Sequence, residues 1–267
     1  MKRILITGAG GEIGRTLRAG LYGHYPALRL LDIKPQGAGR TGEELQTVDI
    51  TALDAARAAL ENVDCVVHLA GVPRENTWKA ILPNNIVGSY NVFEAARLNR
   101  VKRVIFASSN HAVGYYRISQ KIGVDVPPRP DSRYGVSKVF GEALGRMYAD
   151  KYGLSVTCLR IGSFRERPQD ARQLSTWISP RDTVQLVRRC IDAPDYHYLI
   201  VYGVSANTRN RWLNPAADFL GYKPQDNAED FAAELTAKSA APGDPASEFH
   251  GGAFCALEFV GAISKID

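Results

Sequence analysis

The chain has 267 residues, 45% of them hydrophobic and 23% charged, a balance that suits a globular protein with a sizeable core. No apolar run approaches the roughly 18 residues of a membrane span, and Met1-Lys2-Arg3 runs straight into Ile4-Leu5-Ile6 without a secretory h-region, so a cytoplasmic protein with no membrane partner is expected. The net charge of +5 comes from lysines and arginines interleaved with acids, which argues against a nucleic-acid surface and leaves room for an anionic small molecule.

In chain order, Lys2 to Thr7 reads as a buried parallel strand, followed by glycines and a helix from about Ile13 to Tyr22. Leu28-Arg29-Leu30-Leu31-Asp32 is a second short strand ending on an acid. Residues 35–45 read as a glycine-containing loop and Gln46-Thr47-Val48-Asp49 as a third strand. A helix at about 52–61 leads to a fourth strand, Val63 to Leu69, and a long helix over roughly 80–99 leads to a fifth, Arg103 to Ser109. A helix from Tyr134 to Tyr152 then precedes a sixth strand, Ser155 to Arg160. Strands nearly continuous in apolar residues and separated by helices imply a parallel sheet covered on both faces. The predicted fold is therefore α/β, a doubly wound (Rossmann) sheet whose ligands bind beyond the carboxyl ends of its strands. After about Gly162 the alternation weakens: a helix near 181–192 and a strand from Tyr198 to Tyr202 precede a polar tail with Pro242, Gly243 and Pro245. Residues 1–161 are expected to hold the dinucleotide and the catalytic groups, and 162–267 to be mainly a small substrate-binding lobe within the same compact unit. Cys65, Cys158, Cys190 and Cys255 are far apart and form no C-x-x-C, so neither a disulfide nor a metal site is expected.

Thr7-Gly8-Ala9-Gly10-Gly11-Glu12-Ile13-Gly14 places glycines directly between the first strand and the first helix. Glycine permits the tight turn and lets the backbone approach a pyrophosphate, which the helix N-terminus then meets with unpaired N–H groups. Gly8, Gly11, Glu12, Ile13 and Gly14 are accordingly cofactor candidates. Asp32 stands where a ribose 2′-hydroxyl would be expected; it can accept that hydrogen bond and would repel a 2′-phosphate, which favours NAD over NADP. Lys34 softens that preference, and a plain strand-end cap is the alternative role for Asp32. Asp49 and Ile50 are placed to contact the adenine, and Leu69-Ala70-Gly71 to lie near the second ribose.

Tyr134-Gly-Val-Ser-Lys138 sets a phenol and an ammonium on one helix face. A nearby cation favours the phenolate and readies it as a general base. Ser109 closes the fifth strand and can orient a substrate hydroxyl beside Tyr134, although a strand-end turn would use Ser equally well.

In this order the glycine turn, Asp32, Asp49, Ala70-Gly71, Asn85-Ile86-Val87-Gly88, Ser108-Ser109 and Tyr134-x-x-x-Lys138 resemble the extended branch of the short-chain dehydrogenase/reductase family over about residues 1–165. The resemblance implies Tyr134 as acid/base, Lys138 on the nicotinamide ribose and depressing the phenol pKa, Ser109 orienting substrate, and Asn85 supporting the cofactor pocket. Ala107 to Tyr116, Arg172-Gln173-Leu174-Ser175-Thr176-Trp177, Gly203 to Asn207 and Gly221 to Glu229 are similar to uronate dehydrogenases, so the likeness covers nearly the full chain. Those enzymes oxidise galacturonate or glucuronate at the anomeric carbon with NAD, and the resemblance assigns Ser109, Asn110, His111, Ser163 and Arg172 to the sugar acid. Pro73 departs from the pattern where a serine hydroxyl can be offered. An Arg fork suits a carboxylate; Arg165 and Arg167, by contrast, are expected as solvated loop charges. A homo-oligomer is expected. The rivals are a nucleotide-sugar epimerase or dehydratase, which needs a larger C-terminal lobe, and a non-catalytic NAD sensor, which has no need of Ser109, Tyr134 and Lys138 together.

Overall fold

Leu5 and Ile6 are neighbours in the chain, yet they sit in different cores. Side chains alternate across a strand, so one strand covered on both faces feeds two apolar layers. The computed structural model, which describes residues 2–235 and 243–266, builds this alternation into a single sheet. The elements are β1 (Arg3–Thr7), α1 (Glu12–Leu21), β2 (Ala27–Asp32), β3 (Glu43–Thr47), α2 (Leu53–Ala59), β4 (Cys65–His68), α3 (Trp78–Ile81), a π-helical turn (Leu82–Val87) and α4 (Gly88–Leu98). There follow β5 (Arg103–Ser109), α5 (Arg133–Tyr152), β6 (Ser155–Ile161), a two-residue pair β7 (Ser163–Phe164) and β8 (Trp177–Ile178) with α6 (Gln173–Thr176) between them, α7 (Pro180–Asp192), β9 (Tyr198–Gly203) and α8 (Pro215–Leu220).

Seven parallel strands run in the order β3-β2-β1-β4-β5-β6-β9. Ile4, Ile6, Leu28, Leu30, Val67, Ile105 and Leu159 face Leu17 and Leu21 of α1 and Leu186, Val187 and Ile191 of α7. Leu5, Leu31, Val66, Val104, Phe106 and Val156 face Ala56 of α2, Val92 and Phe93 of α4, and Leu144 and Tyr148 of α5. β1 pairs with β2 on one side and β4 on the other, so the winding reverses there. That reversal opens a crevice at the carboxyl ends of β1 and β4.

The third strand is Glu43–Thr47 rather than 46–49, in register with Leu28–Asp32. It is an edge strand with no buried apolar side chain, so apolarity does not mark it; the Glu43 carboxylate is covered instead by Arg18 and Arg40. The long helix over 78–98 is interrupted by the π-turn that contains Pro83. β9 and α7, both beyond residue 162, extend the sheet and one helical layer. Cys65, Cys158, Cys190 and Cys255 are all buried and free. Among the described residues no helix is long and apolar enough to cross a membrane. Met1 and Pro242 lie outside the described residues.

Candidate active site

A continuous cleft of about 990 Å³ follows the carboxyl edge of the sheet, from Asp32 past Tyr134 to Arg172. At its β1 end, Gly8 has φ +69° and a Cβ there would lie 2.8 Å from the Ala70 nitrogen; a Cβ on Gly14 would lie 2.3 Å from the Gly8 carbonyl oxygen. The protein itself requires those two glycines. Gly11 is different: its Cβ would meet only the Gly8 carbonyl, at 3.2 Å, so its bare backbone leaves cleft space for a ligand. The first turn of α1, with Glu12 and Ile13 on the cleft, has no side-chain cap, which leaves N–H groups for a pyrophosphate. Asp32 is braced at the rim, accepting from the Gly10 N–H at 2.8 Å and the Lys34 N–H at 3.1 Å. Asp49 and Ile50 line the same end, and Asp49 accepts from the Thr51 N–H at 2.9 Å.

Leu69, Ala70 and Gly71 form the wall after β4. The N–H groups of Leu69 and Ala70 both donate to the Thr7 hydroxyl oxygen at 3.1 Å, which leaves the hydroxyl proton for Nδ1 of His68, 2.8 Å away. Burial pushes His68 down to about 3, so it is the neutral acceptor that this arrangement needs. Asn85 does not line the cleft. It stands behind the wall, accepting from the Val72 N–H at 2.7 Å and donating to the Val72 carbonyl and to Ser137 Oγ, both at 3.1 Å. Its role is to prop the loop after β4 against α5; its neighbour Asn84 is the residue that faces the cleft.

At the centre, Ser132 caps α5 by accepting from the Gly135 N–H at 3.0 Å, which sets Tyr134 and Lys138 on the sheet-facing side, both buried. Lys138 donates to the Ala107 carbonyl at 2.8 Å, and its Nζ is 5.2 Å from the centre of the Tyr134 ring. Burial pushes Tyr134 up to about 12, with the Ser109 hydroxyl acting in the opposite direction. Burial also pushes Lys138 down to about 8. The net direction for the phenol is therefore upward, set by its burial, rather than the depression by Lys138 that the resemblance implies.

Beyond Ser109, the guanidinium of Arg172 donates from Nε to the His250 carbonyl at 2.8 Å and from Nη1 to Ser163 Oγ at 3.3 Å. With the Asn110 amide turned so that its nitrogen donates to the Ile161 carbonyl at 3.2 Å, its oxygen accepts from Arg172 Nη2 at 2.8 Å. No carboxylate among the described residues pairs with Arg172, and burial lowers its pKa. His111 stacks on Phe254 at 3.9 Å and meets Tyr134 edge-on at 5.8 Å.

Residues 4–195 match the profile of the NAD dependent epimerase/dehydratase family. The chain belongs to this family. A uronate dehydrogenase of Pseudomonas putida is 44% identical over 94% of this chain and 95% of its own. A uronate dehydrogenase from Agrobacterium tumefaciens, solved as a tyrosine-to-alanine mutant complexed with NAD, is 43% identical with a TM-score of 0.92, covering 96% of this chain and 97% of that one. A glucuronic acid dehydrogenase from Chromohalobacter salexigens is 40% identical with a TM-score of 0.93, covering 99% of each chain. The protein is an NAD-dependent oxidoreductase of the extended short-chain branch, and the glycine turn, the uncapped α1 and Asp32 fit that cofactor.

Within this family member, Ser109, Asn110, His111, Ser163 and Arg172 all line the cleft. Arg167 is a surface charge paired with Glu234 at 3.2 Å, whereas Arg165, half exposed and 3.4 Å from Glu12, also lines the cleft. Pro73 borders the cleft beside Arg74 and offers no hydroxyl. Three contributors were missed. Glu75 accepts from the Tyr134 N–H at 2.8 Å and from Arg133 at 2.7 Å, pinning the start of α5. Asp131 holds His111, and the segment from Gly251 to Phe254 returns from the tail to close one side. The Gly251-Gly252 pair, with Gly252 at φ +63°, was the available turn signal. Among the described residues no three His, Cys, Asp or Glu side chains gather as a metal site.

Proposed function

We propose that the protein oxidises a free hexuronate, galacturonate or glucuronate, at its anomeric carbon and releases the aldarolactone. Arg172 carries this reading. Its hydrogen-bond partners are neutral oxygens from His250, Ser163 and Asn110, and Asp170 and Asp131 act on it only through space, so no carboxylate is bonded to it and an anion that a ligand brings can be. A sugar carboxylate answers that need, and relatives named uronate dehydrogenase and glucuronic acid dehydrogenase support the same substrate class.

NAD, when bound, accepts the hydride that leaves the substrate carbon. Tyr134 takes the proton of the C1 hydroxyl, and Ser109 orients that hydroxyl from the end of β5. Lys138, anchored on the Ala107 carbonyl, keeps positive charge beside the phenol and is placed for the nicotinamide ribose. Because the ring oxygen stays bonded to C1, loss of the C1 hydrogen and of the hydroxyl proton turns the hemiacetal carbon into a lactone carbonyl. Residues 162–267 read as the part that selects the substrate, since they supply Ser163, Arg172 and Phe254, and a cytoplasmic location suits a soluble sugar acid.

Arg172→Ala is expected to raise KM for the uronate by about tenfold to a hundredfold, with NAD affinity unchanged and the slow oxidation of the matching neutral hexose altered by less than about threefold. Equal losses on both sugars, or none on either, would remove Arg172 from the substrate site.

A further inference from the structure

The carboxylate of Asp131, in the loop before α5, has a fully buried side chain although it stands beside the cleft. Its Oδ1 accepts from the Ser132 hydroxyl at 2.7 Å, and its Oδ2 lies 2.7 Å from Nδ1 of His111. Two backbone segments close on Oδ2: a Cβ on Gly114 or on Gly251 would come within 1.9 Å of it, and the Gly251 N–H donates to the Gly114 carbonyl at 2.8 Å. Only glycine at both places lets the carboxylate keep this aim. His111 is fixed on its other sides as well. Its backbone N–H donates to Ser109 Oγ at 3.2 Å, its ring face rests on Phe254, and Tyr134 meets it edge-on. Among the described residues Nε2 has no hydrogen-bond partner, and His111 lines the cleft. The other titratable groups around this pair are Tyr134, Cys255, whose Sγ is 4.0 Å from Asp131 Oδ2, and Tyr115 and Arg172, which both feel the Asp131 charge.

A carboxylate on Nδ1 holds the imidazole proton there and leaves a lone pair on Nε2. We propose that Asp131 is a positioning residue: it fixes His111 as the Nδ1–H tautomer, so that Nε2 meets the sugar acid as an acceptor for one of its hydroxyls. The tautomer rests on the geometry alone; the sugar hydroxyl rests on the uronate reading. His111 thereby requires a donor such as a hydroxyl at one ring position rather than tolerating any polar group, because an acceptor-only or missing group there leaves Nε2 unpaired.

Asp131→Asn tests this without changing shape. The Ser132 hydroxyl keeps the amide oxygen on its side, which turns the amide NH2 toward His111 Nδ1 and drives the proton to Nε2. In ¹⁵N NMR at mildly alkaline pH, with the His111 signals assigned by their loss in His111→Ala, wild type is expected to show the Nδ1–H form and Asp131→Asn the Nε2–H form. The kcat/KM for the uronate should fall about tenfold to a hundredfold in Asp131→Asn while NADH affinity is unchanged. In a His111→Ala background the same substitution should change kcat/KM by less than about twofold. An Nε2–H or doubly protonated His111 in wild type overturns the proposal. So does a loss of the same size in the His111→Ala background, which would mark a purely structural carboxylate. If wild type turns over no uronate, the substrate reading fails, and the NMR comparison still decides the role of Asp131.

Discussion

Replacing Tyr134 with Phe removes the oxygen proposed to take the proton and leaves the ring contacts with His111 and Phe254 in place. The kcat for uronate oxidation should fall by at least about a hundredfold, with NADH binding measured by fluorescence unchanged; retained turnover would contradict the assignment. Because burial holds the phenol protonated up to about 12, the oxidation rate should rise with pH from neutral into the alkaline range. Lys138 leaves a second mark, on stability. Its folded value of about 8 is below the ordinary lysine value of 10.5, so between them the unfolded chain binds more protons and stability rises with pH. Relative to Lys138→Met, wild type should gain roughly 3 kcal/mol in denaturant unfolding as pH rises through that window; a flat difference would show that the ammonium is better solvated than its burial suggests. At this scale the sequence showed which groups meet, since Tyr134 and Lys138 share a helix face by spacing alone. It did not show that burial would set the upward direction for the phenol, because that depends on layers packed from distant parts of the chain.

One turn beyond Lys138 on α5, Glu142 accepts from Arg160 of β6 through Nε and Nη2, both at 2.9 Å, and from the Ser108 hydroxyl at 2.6 Å. This buried pair ties α5 to the two strands whose ends border the cleft. Glu142→Gln leaves the Arg160 charge uncompensated and should cost about 3–5 kcal/mol in equilibrium unfolding; an unchanged midpoint would mean that the pair does not hold α5. Elements were legible where both faces are covered, because β1, β4, β5 and β6 are buried almost throughout and carry apolar stretches such as Ile4-Leu5-Ile6 and Val104-Ile105-Phe106. β3 begins three residues earlier than the sequence reading because Glu43 and Glu44, on opposite faces of the strand, are held by ion pairs with Arg18 and Arg29 rather than by an apolar core. The π-turn gave no periodic signal, although it aims Asn85 at Val72.

Across the whole molecule, the site forms where three distant stretches converge: the switch between β1 and β4, the ends of β5 and β6 with the first turn of α5, and the returning segment from Gly251 to Phe254. The first two could be read from strand order and motif spacing. Arg172 and Ser163 could be read only through family resemblance, and Asp131, Glu75 and Phe254 not at all, since their partners are separated from them by loops that carry no period. The decisive measurement offers the protein NAD with galacturonate, glucuronate, the matching neutral hexoses, a hexose 6-phosphate and UDP-glucose, following NADH by absorbance and the products by NMR. The account predicts NADH and aldarolactone formed one for one from a uronate, with kcat/KM at least about a hundredfold above that of the neutral hexose. No NADH from either uronate, or turnover of the phosphate or the nucleotide sugar in their place, would contradict it.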